Sequence, residues 1–168
     1  MKKMALCLLL GVMPHASDAA EAAAPIPKEG KGSFVAVASG TAKALPLGKD
    51  RVQIAYEVAG VITSDNGEGP LNNASFRCLG GMHVANGEYN DDSAACVYTR
   101  PDGDQVFAVN KGTGKRGAAA KVTITYVGGT GKLAGIQGGA EATRTQVRPA
   151  GEGMAQSITR GTFHYKLP

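Results

Sequence analysis

Two glycine-rich segments carry the residue types of a phosphate-binding loop. Both contain the tetrapeptide Gly-Thr-Gly-Lys, at Gly112–Lys115 and at Gly129–Lys132. A P-loop needs Ser or Thr directly after its lysine, and a helix after that, so that backbone N–H groups surround the phosphates. Arg116 and Leu133 follow here instead, and alternating strand-like runs flank both segments. We therefore predict two tight strand turns and no nucleotide site.

Paired acidic residues could supply oxygen ligands to a metal ion. Asp91 and Asp92 form one pair, and Asp102 and Asp104 form the other. Calcium would need both pairs to lie close together, and the EF-hand spacing is missing. The dipeptide Asp102-Gly103 is also typical of a β-hairpin turn, which needs no metal. We predict no metal site and no cofactor.

Histidine and cysteine offer little for catalysis. His83 and His164 are candidate acid–base groups, but the chain has no Gly-x-Ser-x-Gly nucleophile motif. A zinc site would need more histidine ligands or a Cys-x-x-Cys motif, which the chain lacks. The sequence therefore leaves the catalytic residues unknown and predicts no metal ligand.

Two tyrosines are the best candidates for ligand contact. In the run Arg51–Thr63 the apolar residues share one parity, which is the pattern of a half-buried strand. That parity places Tyr56 in the interior, where its hydroxyl needs a hydrogen-bond partner, and turns Glu57 outward. Tyr98 lies on another predicted strand. Both tyrosines are predicted to contact a ligand if the interior is hollow; the alternative is that they are core residues.

The amino terminus predicts export. Met1–Lys3 is a positive segment, Met4–Met13 is apolar, and Ser17–Ala19 fits a small-x-small cleavage signal. We predict a signal peptide at residues 1–19, a flexible leader at 20–32 and one domain at 33–168, in the periplasm or secreted. The apolar run is too short for a membrane span.

Export would leave two cysteines. Cys7 would be removed with the signal peptide, so Cys78 and Cys96 are predicted to form a disulfide in an oxidising compartment. Both lie at equal distance from Gly87, so a hairpin turn there would bring them onto facing strands. Alternatively, residues 90–93 form the turn, and the disulfide links a strand to a loop.

Charge and aromatic content argue against two classes of partner. The formal net charge is +4 without a run of like charges, so nucleic-acid binding has no specific support. Tryptophan is absent, and the chain lacks the aromatic platforms that carbohydrate-binding modules usually present.

The segment Tyr126–Gly139 organises the predicted fold. Six of its fourteen residues are glycine, which excludes a helix and favours a tight corner between two strands. We assign structural turn roles to Gly128, Gly129, Gly131 and Gly135. The predicted strands are Ser33–Ser39, Arg51–Thr63, Ala74–Val84, Ala94–Thr99, Gln105–Asn110, Lys121–Val127, Glu141–Val147 and Met154–Lys166. These strands predict an all-β fold, a single antiparallel eight-stranded β-barrel with one disulfide.

The corner also resembles a known family. Gly128–Gly135 (GGTGKLAG) is similar to a segment of the allene oxide cyclase and dirigent barrel superfamily, and the segment from Cys78 to Asp104 resembles small exported bacterial relatives of unassigned function. The resemblance covers roughly residues 76–165. It implies an eight-stranded antiparallel barrel with an apolar lumen, often a trimer. Plant members cyclise or couple small lipids and phenols, but their acidic catalytic residues do not match this chain one by one.

Three functions follow as hypotheses. The first is a barrel that binds a small apolar molecule in its lumen. Such a barrel would have no nucleic-acid partner, and it could assemble as a homo-oligomer, either a trimer or a dimer. The second is a cyclase or isomerase that acts in the lumen, which would require an ionisable interior group with a shifted pKa. The third is a structural or interaction protein with a packed core.

Overall fold

A computed structural model describes residues 26–151 and 153–168, which form one antiparallel β-barrel. The predicted signal peptide, and the predicted leader up to residue 25, lie outside the described residues. Each strand pairs with the next one in the chain, and the last pairs with the first, so the sheet closes. The predicted fold class is confirmed. The strands of the described residues are β1 (Glu29–Pro46), β2 (Arg51–Ser64), β3 (Ala74–Ala85), β4 (Glu88–Thr99), β5 (Gln105–Lys115), β6 (Ala120–Gly129), β7 (Gln137–Val147) and β8 (Met154–Lys166).

Alternation of residue type decides which side chains enter the barrel. Strand β6 is the clearest case, since Val122, Ile124 and Tyr126 are buried while Thr123 and Thr125 between them are exposed. Successive side chains of a strand point to opposite faces, so this pattern puts the apolar set inside and the polar set in water.

Several strand boundaries differ from the sequence-based predictions. Strand β1 includes residues 29–32, predicted as leader, and residues 41–46, predicted as loop, because it pairs with β8 at one end and with β2 at the other. Strand β4 begins at Glu88, so the predicted turn at residues 90–93 is strand. Gly112–Lys115, predicted as a turn, ends β5, and the turn follows it.

The two ends of the barrel are built differently. The end that we call the closed end carries three connections, residues 65–73, 100–104 and 130–136, whose apolar residues Leu71, Leu133 and Ile136 are buried. Buried Arg100 links the connection 100–104 to the connection 65–73, because its guanidinium donates hydrogen bonds to the carbonyls of Gly69 (3.0 Å) and Pro70 (3.2 Å). The chain also enters β1 and leaves β8 here, since the first residue of β1 pairs with the last of β8. Among the described residues, the other end, which we call the open end, carries the four turns within β1–β2, β3–β4, β5–β6 and β7–β8.

The glycine corner joins β6 to β7 at the closed end. Gly131 and Gly135 have positive φ values of 53° and 76°. A Cβ atom on Gly131 would lie 1.8 Å from Oδ1 of Asp104, and one on Gly129 would lie 2.4 Å from the carbonyl oxygen of Leu133. Gly128 differs, because a Cβ there would meet only Phe107 at 3.5 Å, which is ordinary contact. Three of the four predicted turn glycines are thus sterically required.

The predicted disulfide is confirmed, with an S–S distance of 1.98 Å between Cys78 and Cys96. The two cysteines are direct partners in the register of β3 and β4. The turn lies at Asn86-Gly87, where both residues have positive φ, as a two-residue hairpin requires. Of the two arrangements that the sequence left open, the facing-strand one is present.

Candidate functional site

A cavity of about 350 Å³ occupies the barrel and reaches the open end. Its deep wall is apolar and includes Phe34, Ile62, Phe76, Val122 and Ile124. Sites for small molecules are concave, mostly apolar and of this order of size, with a few polar groups that fix orientation.

Small side chains create this space. Alanine lines the cavity from three strands and one turn, at Ala36, Ala38, Ala42, Ala94, Ala118 and Ala155. An eight-stranded barrel is just wide enough for its inward side chains to fill it, so replacing large side chains by alanine leaves room. The sequence left open whether the interior is hollow or packed, and the structure has a cavity.

A polar cluster, which consists of Tyr56, Asp92 and Arg144, interrupts the apolar wall. The hydroxyl of Tyr56 donates to Oδ1 of Asp92 at 2.5 Å, and Nη2 of Arg144 donates to Oδ2 of the same carboxylate. Asp92 is 3% exposed, and the side chain of Arg144 is 18% exposed. The three residues come from β2, β4 and β7, so the cluster assembles only when the barrel closes.

Two glycines make room for this cluster. Gly80 is the partner of Tyr56 in the β2–β3 register, and a Cβ on it would lie 2.7 Å from the Cζ atom of that tyrosine. Gly112 is the partner of Asp92 in the β4–β5 register, and a Cβ there would lie 2.6 Å from Oδ2. Side chains at these positions would displace the phenol ring and the carboxylate.

An irregularity in β4 lies beside Asp92. The register of β4 shifts against β5 between Tyr89 and Asp92, and β3 shifts against β4 between Gly81 and Ala85. Such bulges bend a strand and re-aim its side chains, often next to functional sites. The polar residues 90–93 therefore form a bulged strand, with Asp92 turned into the barrel.

Burial and the contacts with Asp92 shift the pKa values of Tyr56 and Arg144. Burial, followed by the hydrogen bond to Asp92, raises the pKa of Tyr56 well above its usual range. Burial also acts to lower the pKa of Arg144, but the charge of Asp92 and its hydrogen bond outweigh this effect, and the pKa is raised. At neutral pH Tyr56 is therefore a neutral donor and Arg144 is a cation.

Two buried polar atoms in the cavity wall have no hydrogen-bond partner among the residues described by the structure. They are Nε of Arg144, a donor, and Oδ1 of Asn110, an acceptor. Most buried polar groups in proteins are hydrogen-bonded, so each such exception requires an explanation.

Basic residues lie around the opening. Lys115 and Arg116 contribute to the outer wall of the cavity and are exposed, whereas Lys111 lies between the inward positions Asn110 and Gly112 and has its exposed side chain on the outside of the barrel. Lys115 forms an ion pair with Glu88 at 2.7 Å, in which both side chains are mostly in water.

Both predicted ligand-contact tyrosines line this cavity. Tyr56 belongs to the polar cluster. Its hydroxyl was predicted to need a hydrogen-bond partner, and in the structure that partner is Asp92. Tyr98 lies deeper, is buried, and packs against Phe76 with ring centroids 5.5 Å apart. Burial raises its pKa as well. As predicted, Glu57 faces outward.

Sequence reasoning missed Asp92, Asn110 and Arg144 as wall residues. Counting back by twos from buried Cys96 reaches Ala94 and then Asp92, so strand parity carried the signal. The run of polar residues 90–93 resembled a turn and hid that parity.

The remaining candidates lie elsewhere. Asp102 accepts a hydrogen bond from Nζ of Lys132, and Asp104 accepts one from the backbone N–H of Lys132, both at 3.0 Å. These aspartates therefore stabilise the glycine corner. His164 and His83 are absent from the cavity wall, and His164 is exposed. Within residues 26–151 and 153–168, no three His, Cys, Asp or Glu side chains are grouped as metal ligands.

No protein-family model, curated protein or solved structure gave a significant match to this chain. The resemblance to the allene oxide cyclase and dirigent superfamily stays a prediction. In the part of the chain that the structure describes, no helix is both long and apolar enough to cross a bilayer.

Proposed function

We propose that this barrel binds a small, largely apolar molecule in its cavity. The observation that carries the proposal is a cavity of about 350 Å³ with apolar depth, a polar cluster and lining residues that reach the open end. Burial of apolar surface supplies the affinity, about 25 cal/mol per Å², and the polar cluster would orient the ligand. A packed core, which the structural hypothesis requires, does not fit such a cavity.

Paired native and denaturing mass spectrometry tests this function on protein purified from its own source. We expect a mass excess in the native spectrum that disappears on denaturation and identifies the ligand. A bare mass, together with no uptake of any apolar probe by the purified protein, would contradict the proposal.

A cavity-filling variant provides the matched test. Ala38 faces the cavity, while Ala59 of the neighbouring strand is exposed on the outside. Ala38→Leu should weaken ligand binding, and Ala59→Leu should leave it unchanged. Equal effects of the two variants on ligand affinity would show that the ligand does not bind in the cavity.

Catalysis in the same cavity is the second candidate function, and the Tyr56–Asp92–Arg144 cluster favours it. A neutral phenol that is hydrogen-bonded to a buried carboxylate can pass a proton to or from a bound molecule, as a cyclase or isomerase requires. Tyr56→Phe keeps the ring and removes the proton. We expect it to abolish turnover of the identified ligand while binding persists; turnover by this variant would exclude the role.

We also propose export and membership of the allene oxide cyclase and dirigent superfamily. The Cys78–Cys96 disulfide supports export, since such bonds persist mainly in oxidising compartments. The closed eight-stranded barrel and its glycine corner support the family. Cell fractionation tests the first, with retention in the cytoplasm as the contrary result; an experimental structure compared with that superfamily tests the second.

We propose that the outer wall of the barrel forms the interface of a homo-oligomer, either a trimer or a dimer. Val37 and Val61 are cross-strand partners on the outside and are 50% and 62% exposed, and Leu79 on β3 is 55% exposed. Exposed apolar patches mark interaction surfaces. Light scattering coupled to size-exclusion chromatography should give a multiple of the chain mass, and a monomer at high concentration would contradict it.

A further inference from the structure

The cavity wall contains one open donor and one open acceptor. These are Nε of Arg144 and Oδ1 of Asn110, both buried and without a partner in residues 26–151 and 153–168. A buried polar group without a partner loses its hydration and gains nothing in return. A ligand that offers an acceptor to Arg144 and a donor to Asn110 would satisfy both atoms.

The two open groups border the same part of the cavity. Asn110 is the next inward position of β5 below Gly112, and Gly112 lies against the carboxylate of Asp92, which holds Arg144. Two residues of a strand span roughly 7 Å, so Asn110 lies one step deeper than the polar cluster. A polar head group at this depth can therefore reach one or the other of the two open groups.

The charges of the polar cluster already cancel. Asp92 carries one negative charge, Arg144 carries one positive charge, and the two form an ion pair in the wall. A ligand carboxylate at this depth would add a second negative charge beside Asp92. Burying an ion without a counter-charge is costly, and a like charge nearby increases the cost.

The basic residues of the opening do not change this balance at depth. Arg116 is exposed, and Lys115 is paired with Glu88. Water and salt screen exposed charges, so these residues act on a ligand at the opening and only weakly on one at the cluster.

From the paired charges and the two open groups, we infer that the cavity selects an apolar molecule with an uncharged head group, a hydroxyl or a carbonyl, over one with a carboxylate. This inference rests on the proposed binding function and names its ligand class. A hydroxyl can accept from Arg144 or donate to Asn110, a carbonyl can only accept from Arg144, and neither adds a charge.

Three probes with one ring system test the selection: naphthol, naphthoate and naphthalene, each titrated into the full chain at neutral pH by calorimetry. Naphthol should bind about tenfold more tightly than naphthalene, because it gains hydrogen bonds. It should also exceed naphthoate by about tenfold or more, because naphthoate carries the extra charge.

A charge-swap variant sharpens the test. Asp92→Asn keeps an acceptor for Tyr56 but leaves the charge of Arg144 unbalanced, so naphthoate should now bind more tightly than naphthol. Asn110→Leu should reduce the advantage of naphthol over naphthalene and preserve the rejection of naphthoate. Circular dichroism and melting curves establish that each variant is folded.

The outcomes separate this inference from the binding function. Naphthoate that binds the wild type as tightly as naphthol would overturn the inference and leave lumen binding in place. Loss of binding of all three probes, with a bare native mass, would overturn the binding function and the inference together. The wild-type comparison decides even if Asp92→Asn does not fold.

Discussion

Replacing Arg144 by methionine would leave Asp92 buried without its counter-charge. Asp92 is 3% exposed and accepts from Arg144 and from Tyr56, so the variant would retain only the hydrogen bond from the phenol. Breaking a buried ion pair by removing one partner costs about 3–5 kcal/mol. The side chain of Arg144 is 18% exposed and borders a cavity, which places the expected loss near the lower limit, about 3 kcal/mol.

The chain contains a matched control on its outer surface. Arg77 and Glu57 form an ion pair at 2.6 Å, in which the side chains are 66% and 47% exposed. Exposed pairs of this kind contribute about 0–1 kcal/mol, because water and salt screen them. Arg77→Met should therefore change the free energy of unfolding by less than about 1 kcal/mol.

Urea denaturation followed by circular dichroism measures both variants. A loss of about 3 kcal/mol corresponds to a fall in melting temperature of roughly 6–12 °C for a domain of this size. The double variant Asp92→Asn/Arg144→Met removes both charges and should recover much of the loss, since no charge stays buried alone. Equal, small effects of Arg144→Met and Arg77→Met would refute the reasoning, because the cluster would then be as screened as the surface.

Three further predictions concern stability. Gly131→Val should lower the free energy of unfolding by roughly 1–3 kcal/mol, since φ is positive there and a Cβ would meet Asp104, whereas Gly128→Ala should be nearly neutral in the same melting assay. Reducing the disulfide should cost roughly 3 kcal/mol in urea denaturation, and a chain that begins at residue 20 should show no free thiol on labelling after non-reducing denaturation. Burial raises the pKa of Tyr56 and Tyr126 in the folded state, so their contribution to stability is complete below the ordinary tyrosine pKa of about 10 and is lost as the pH rises above it. Absorbance of tyrosinate should then increase together with unfolding, and full ionisation in folded protein would contradict the assignment.

Strand parity predicted much of this molecule. The alternation in residues 51–63 placed Tyr56 inside and required a partner for its hydroxyl, and the cysteines and the glycine corner were located from local chemistry. These features depend on single residues or on one strand, so the chain itself encodes them.

Features that depend on two neighbouring strands were missed. Strand β1 continues through residues 41–46 because β2 supplies partners there, although the local sequence is typical of a loop. Asp92 lies in a bulge whose polar sequence resembles a turn, and its pairing with Gly112 of β5 keeps it in the sheet. The cavity volume depends on all eight strands at once, which no local pattern encodes.

The position of the chain ends has a practical consequence for attachment. Glu29 and Lys166 are neighbours at the closed end, and the backbone N–H of Leu167 donates to the carbonyl of Lys28. A tag, a surface linker or a fused domain joined at the end of β8 would thus leave the barrel at the end opposite the opening of the cavity. Immobilised through that terminus on a sensor, the barrel would present its opening to the solution, and binding measurements would not be obstructed by the support.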